Sequence, residues 1–550
     1  MSEKYELDKL QGSVSGEGPK PVRNLTGRMT STLFFAMCCA AFGSSFQFGY
    51  NIGVVNNPKE NVQVFINDSH YDLFGEVLTS EQNDFTYGWV VSVFCIGGMA
   101  GGLISGFVAE RFGRKGGMFF NNIFAFLAAA LLGFSKLSGA YPLLFLGRIV
   151  IGLNTALAPL YLTEISPVNL RGALGTVHQL VVTISILVSL ILGLSELLGS
   201  EELWPLLFAL TALPAVYQIL TLPFCPESPK HMLINKHQSE RAEQALIKLR
   251  KTSNVQDEIA EMEEEAAKAK KVPKVQFSDM FRDPLLRWPL FIAVMMMFSQ
   301  QLSGINAAMY YSSAIFTGAG LDPFTAKIAS IVMGVINVGM TIISTVIVDK
   351  FGRRSLHLIG MAGMWLTSIL LVICLTYSPK PIKVTFLSTI LKLQLTSYRY
   401  VDFALRLGSP LDDGTFKLPN GTIVLAEDRP IELVGSTVAA YAAIVLVFLF
   451  VISFATGPGS IPWFYVSEIF LQGARAHANS VAVVANWTAN FIVGIIFLPL
   501  KNAIDQYVFL VFTFCLTIFI IFTWKFVPET KGRSVEEIVD DFKKGKTRTA

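Results

Sequence analysis

Twelve apolar runs, each long enough to cross a lipid bilayer, constrain this 550-residue chain more than any other feature. They fall at about 30–52, 86–109, 116–136, 141–163, 172–198 and 203–225, then at about 287–316, 324–348, 355–377, 436–466, 476–500 and 506–527. A hydrocarbon core of ~30 Å needs ~20 apolar residues per helix, so each run qualifies as a span. Composition agrees: 52% of residues are hydrophobic and 15% charged, against the ~25% charge usual for soluble domains. A net charge of +3 leaves no basic excess to hold nucleic acid. The expectation is an all-α polytopic membrane protein.

The layout is six spans, a linker and six spans. The N-terminal half covers 30–225, the polar 226–286 reads as a linker carrying short solvated helices, and the C-terminal half covers 287–527. Tails occupy 1–29 and 528–550. The polar start carries no cleavable leader, so span 1 is expected to serve as its own insertion signal. Lys and Arg flank the ends of spans 1, 2 and 8 (Arg28, Arg111, Arg114, Lys350, Arg353, Arg354), which predicts cytoplasmic termini and linker. Segment 53–85 then lies outside, and its Asn67-Asp68-Ser69 is an expected glycosylation site. All six cysteines lie in or beside apolar runs, and neither a disulfide framework nor a metal site is expected.

An internal repeat ties the halves together. Glu110-Arg111-Phe-Gly113-Arg114-Lys115 is echoed by Asp349-Lys350-Phe-Gly352-Arg353-Arg354, 239 positions on. Glu164 and Arg171 are echoed by Glu468 and Arg475 at an offset of 304, and Pro226-Glu227 by Pro528-Glu529 at 302. The 65 extra residues in the second half coincide with a polar stretch at 378–435, which predicts an inserted mobile extracellular loop. The Gly-Arg turns lack the G-x-x-x-x-G-K-[ST] phosphate loop, so ATP is not expected as a partner. Electrostatics offers a better account: Arg111, Arg114, Arg353 and Arg354 pairing with Glu164, Glu227, Glu468 and Glu529 in a cytoplasmic network that includes Arg171 and Arg475.

Further signatures stand at Gln47-Phe-Gly-Tyr-Asn51, Pro226-Glu-Ser-Pro229, Gln300-Gln-Leu-Ser-Gly-Ile-Asn306, Gly457-Pro-Gly-Ser-Ile-Pro462-Trp463 and Pro528-Glu-Thr-Lys-Gly532. Together with the Gly-Arg turns they resemble the sugar porters of the major facilitator superfamily, and specifically the facilitative glucose transporters. The resemblance covers roughly 28–377 and 436–534. It implies two pseudo-symmetric six-helix halves rocking about a central hexose site. It also implies that Trp463 closes over the sugar, that Tyr310 and Tyr311 form an extracellular gate, and that Gln301-Leu302-Ser303 favours glucose. Where the family often has a glutamate, two residues before Gly457, this chain has Ala455.

The residues themselves point the same way. Polar side chains deep in apolar spans are costly and usually have a role. Gln179, Gln300, Gln301, Asn306, Asn337 and Asn486 are uncharged amides, able to donate to and accept from the hydroxyls of a neutral sugar. Gln301 and Asn306 are five apart, about 140° around a helix, so they meet only if span 7 breaks, and Gly304 permits a break. Gly457, Pro458, Gly459 and Pro462 likewise predict a broken span 10 beside a gate. No cofactor is expected, and no Ser/His/Asp set suggests an enzyme.

Three activities compete. Uniport is favoured over proton-coupled symport because spans 1, 7, 8, 10 and 11 hold no Asp or Glu between their flanking charges. Proton-coupled relatives place an Asp after the Gly-Tyr pair of span 1, where this chain has Asn51. A non-transporting sugar sensor would be expected to carry a longer signalling tail. One anomaly stands in span 4: Gly147-Arg148 and Glu164 are 16 residues apart from Arg to Glu, where the family usually has 20. A helix one turn short is predicted, through tilt, thinning or unwinding near Asn154, with strain around Gly139–Arg148.

Overall fold

The computed structural model describes residues 27–154, 157–271, 275–378, 409–410, 415–417, 423–425, 436–533 and 535–543. Within them, eight helical stretches are long and apolar enough to cross a membrane. Two of these, Ser80–Gly133 and Gly473–Phe526, each run through two consecutive spans. With Pro142–Gly152 continued by Leu157–Ile165, and with Arg171–Leu192, the set makes up twelve spans. The apolar runs read from the sequence are therefore the helices of the fold.

Matching tight reversals at the linker end join neighbouring spans in each half, the first of them inside the Ser80–Gly133 stretch. Gly113 (φ 81°, ψ 176°) turns span 2 into span 3, and Gly352 (φ 89°, ψ 157°) turns span 8 into span 9. Positive φ at these points favours a residue without Cβ. A side chain would also meet a carboxylate: a Cβ on Gly113 would lie 2.6 Å from Oε2 of Glu227, and one on Gly352 2.7 Å from Oε2 of Glu529.

The halves meet along two helix pairs, span 2 against span 11 and span 5 against span 8. At the end away from the linker they are also tied by hydrogen bonds. Asn56 donates to the Met309 carbonyl and to Ser312 Oγ, both at 2.7 Å, and Ser313 Oγ donates to Asn57 Oδ1 at 2.7 Å. Asn502 donates to Asp84 at 2.8 Å, and Lys59 pairs with the same carboxylate at 3.2 Å. Helix Lys59–Phe74 carries Asn67, so the expected sugar acceptor sits on a helix rather than in an extended loop.

The linker divides its attachments. Thr30 donates to the Leu249 carbonyl at 2.6 Å and Arg250 to the Ile165 carbonyl at 2.9 Å, holding helix Ser239–Arg250 to the N-terminal half. Arg250 also binds Glu258 at 2.9 Å, which fixes the start of helix Gln256–Lys271. Beyond it, the Val275 carbonyl meets His477 Nε2 of the C-terminal half at 3.1 Å.

The structure bears on two expectations here. Span 4 is interrupted in its middle: helix stops at Gly152, Leu153 and Asn154 turn back on Val150 and Ile151 at 3.2 Å, and helix resumes at Leu157. The shortfall is taken up by unwinding near Asn154, while the Arg148 end stays regular and buried and shows no distortion. The 378–435 segment holds a small antiparallel sheet with register Pro410↔Phe416 and Phe416↔Val424 among its described residues, and the rest lies outside them. Its ends are drawn together, the Ser436 N–H donating to the Tyr377 carbonyl at 2.8 Å. Asn24-Leu25-Thr26, a further N-x-[ST] motif in the N-terminal tail, and the side chain of Arg171 also lie outside the described residues.

Candidate functional site: a buried amide cluster between broken helices

Span 7 breaks where its glycine allowed. Helix Pro284–Gln301 ends, Gly304 takes φ 92°, and Ile305–Gly318 continues. The break brings Gln301 and Asn306 to one side, so that the Asn306 amide donates to Gln301 Oε1. Gln301 Nε2 in turn reaches Asn486 Oδ1 of span 11 at 2.9 Å and Gln300 Oε1 at 3.2 Å. Asn486 Nδ2 closes the ring by donating to Gln300 Oε1 at 2.7 Å. All four amides are under 9% exposed. Four of the six amides singled out in the sequence thus form one charge-free, hydrogen-bonded group.

The other two stand apart. Gln179 and Asn337 lie on the packed spans 5 and 8, and neither shares a side-chain hydrogen bond with the cluster among the described residues. Span 10 breaks between Thr437–Thr456 and Ile461–Ile469, with Gly457, Pro458 and Gly459 buried against span 9. Trp463, on the second segment, is 38% exposed, and Ala455 is buried just before the break. Tyr310 and Tyr311 are fully buried. Their hydroxyls donate to Asn490 Oδ1 and the Gly494 carbonyl, each at 3.0 Å, so span 7 is closed against span 11 at this level.

A second amide network, which the sequence reading passed over, occupies the N-terminal half. Gln47 donates to Asn122 Oδ1 at 3.4 Å, Asn122 to Gln218 Oε1 at 3.0 Å, and Gln218 to Ser44 Oγ at 3.0 Å. Asn154, at the span-4 break, donates to Gln47 Oε1 and leaves its own Oδ1 buried without a partner. The signal was present: an uncharged amide in each of four apolar spans. Arg148 is also fully buried, held by the Asn51 carbonyl at 2.7 Å, the Val90 carbonyl at 3.1 Å and the ring of Phe94 at 4.8 Å. In hydrocarbon such a cation persists because carbonyl dipoles replace its water.

At the linker end two of the expected ion pairs form. Arg114 grips Glu164 with two bonds of 2.7 Å, and Arg353 reaches Glu468 at 3.2 Å. Glu227 and Glu529 do something else. The Glu227 carboxylate accepts the backbone N–H of Arg114 at 3.1 Å and of Lys115 at 3.2 Å, and Glu529 accepts those of Arg353 at 2.7 Å and Arg354 at 3.1 Å. They cap the first turns of spans 3 and 9, where unsatisfied amides and the helix dipole favour an anion. Arg111 is exposed, and Arg475 donates to its own neighbour, the Phe470 carbonyl, at 3.3 Å. The repeat extends further than expected: Tyr161 donates to the Pro226 carbonyl at 2.7 Å and Tyr465 to the Pro528 carbonyl at 2.8 Å.

Twelve spans in two repeated halves around a buried polar cluster define a multi-pass membrane transporter of the major facilitator fold. Comparison with solved structures agrees. The chain superposes on the partially occluded inward-open xylose transporter XylE from E. coli with a TM-score of 0.67 at 23% identity, covering 92% of this chain and all of that one. The same transporter bound to 6-bromo-6-deoxy-D-glucose gives the same score over 94% of this chain. The family model described as "Sugar (and other) transporter" matches residues 36–392 and 421–542, and the chain belongs to that family. Among its relatives, facilitated glucose transporter protein 1 of Caenorhabditis elegans is 48% identical over 99% of this chain and the whole of that protein. Solute carrier family 2, facilitated glucose transporter member 1 of Gallus gallus is 39% identical over 94% of this chain and 95% of its own length.

Proposed function

We propose that this chain is a facilitative hexose uniporter, with D-glucose as its preferred cargo. It would work by alternating access across the plasma membrane, with both termini and the linker in the cytoplasm. The observation that carries this reading is the buried cluster of Gln300, Gln301, Asn306 and Asn486 beside the broken span 10. Neutral amides match neutral hydroxyls, and each internal amide–amide bond is one that a sugar hydroxyl can replace without stranding a charge. Gln179, Asn337 and Trp463 complete the set on the family pattern, with Tyr310 and Tyr311 as the extracellular gate.

Uniport rather than symport is supported by Asn51. Its amide is bonded to the Gln47 carbonyl and to Thr211 Oγ1, both at 2.8 Å, at a place where a proton carrier would need a carboxylate. The two helix breaks supply the joints about which the halves rock. Radiolabelled glucose uptake into proteoliposomes, competed by galactose and fructose, tests the proposal. Saturable uptake indifferent to a proton gradient is the expected result. Uptake driven above equilibrium by an inward proton gradient would make it a symporter, and binding without uptake would make it a sensor.

A further inference from the structure

The sequence of the span-10 break orphans two carbonyls. In a continuous helix the Pro458 oxygen would accept from the amide four residues on, but that residue is Pro462, which has no N–H. The Gly459 oxygen loses its partner as well, because the Trp463 N–H turns back to the Ser460 carbonyl at 3.3 Å. Buried and unpaired within a membrane, two such groups would be costly. Both are nevertheless satisfied. The side-chain amide of Gln300 donates one proton to Pro458 O at 3.0 Å and the other to Gly459 O at 2.7 Å.

The opposite edge of the same amide belongs to the cluster. Gln300 Oε1 accepts from Asn486 Nδ2 at 2.7 Å and from Gln301 Nε2 at 3.2 Å. Both protons are thus spent on the break and both lone pairs on the cluster. The amide is planar, so it cannot turn its oxygen toward a ligand without carrying its N–H groups off the two carbonyls.

We propose that Gln300 is a positioning residue for the span-10 break, joining the state of the amide cluster to the placement of the Ile461–Ile469 segment that carries Trp463. The coupling, though not the positioning, rests on the reading that hexose enters this cluster. When a sugar hydroxyl replaces Asn486 or Gln301 on Gln300 Oε1, the amide reorients and its grip on Pro458 and Gly459 changes. The break has groups ready for the new arrangement. Ser460 Oγ and His357 Nδ1 are both buried without partners, and the His357 backbone lies against Gly457. Gln300 therefore differs from Gln301, which makes no bond to span 10 among the described residues.

The test is hydrogen exchange of the 457–466 backbone in the full-length, detergent-solubilised protein, measured first without sugar. Gln300→Met keeps the length and removes both donors; exchange across Ile461–Val466 should rise ~10-fold, the effect of losing two hydrogen bonds. Pro462→Ala restores the N–H that Pro458 O lacks, so in that background Gln300→Met should add less than ~2-fold. Equal effects in the two backgrounds would overturn the positioning role, as would a similar rise for Gln301→Met. If Gln300→Met does not survive solubilisation, Gln300→Asn serves, since its amide is one methylene too short to reach both carbonyls. Saturating D-glucose is then added, with binding checked by calorimetry. Bound glucose should change exchange at 457–466 in the wild type and leave it within ~2-fold in Gln300→Met. Binding without that change would overturn the coupling. Absence of glucose binding to the wild type would instead refute the hexose reading, with the sugar-free result still deciding the positioning role.

Discussion

Arg114 donates from Nη1 to Nδ1 of His231 at 2.7 Å while its other nitrogens hold Glu164. The ring nitrogen that accepts this bond must be unprotonated. Burial, and then the Arg114 charge, hold the imidazole below its ordinary value of 6.5. The sign follows: the unfolded chain takes up a proton near pH 6.5 while the folded one resists, so acid favours unfolding. Stability from this contact is fully present above pH ~6.5 and drains away as pH falls below it. The melting temperature in detergent should therefore fall between pH 7.5 and 5.5, and His231→Gln should flatten the slope. Parallel slopes for wild type and variant would place the proton elsewhere.

Gln301 and Trp463 give the most direct check on the hexose site. Gln301→Leu leaves Asn306 and Asn486 facing an apolar side chain, and should weaken hexose binding by about 1–3 kcal/mol. Trp463→Ala should cost a similar amount by removing the indole proposed to pack on the sugar as span 10 closes. Uptake at sub-saturating hexose should drop at least about fivefold in each at matched surface expression. Near-wild-type transport in both would remove them from the site.

Asn67 should carry an N-linked glycan, but from an unusual setting. Its Oδ1 accepts the Leu78 N–H at 2.9 Å, and Ser69 is buried, donating to the Gly139 carbonyl. The acceptor must then be modified before helix Lys59–Phe74 docks. Asn67→Gln should abolish the glycosidase-sensitive mass shift while holding the Leu78 contact. A shift that persists would assign the glycan to another sequon or reverse the topology.

Removing the second-half insert should be tolerated. The Tyr377–Ser436 hydrogen bond already closes its base, so a deletion of 379–435 bridged by two or three glycines spans a short gap. Uptake and melting temperature should stay near wild type. A large loss of either would show that the insert packs on the transporter.

How much of this was written in the chain differs by level. Span positions were legible because membrane thickness sets a minimum apolar length, and the Gly304 break because Gln301 and Asn306 are five apart. The roles of Glu227 and Glu529 were not. A carboxylate beside a basic turn reads as an ion pair, and only the positive φ of Gly113 and Gly352 aims backbone amides at it instead. Tyr161 and Tyr465 lay within reach of the sequence, since they share the 304-residue offset of Glu164 and Glu468. Asn154 shows the converse: the missing turn was visible, but its resolution by mid-span unwinding depended on Gln47 lying opposite.

The divided attachment of the linker sets a mechanical limit. One part is fastened to the first half as far as the Arg250–Glu258 contact, and the other to the second half at Val275. From Glu258 to Val275 the tether is thirteen helical steps to Lys271, ~20 Å, and then four residue steps that reach no more than ~14 Å when fully extended. The segment is a leash as well as a connection. In the alternating-access cycle proposed above, chain length at this crossing would bound how far the linker ends of the halves part, and a ten-residue glycine-serine insertion after Lys271 would let them out.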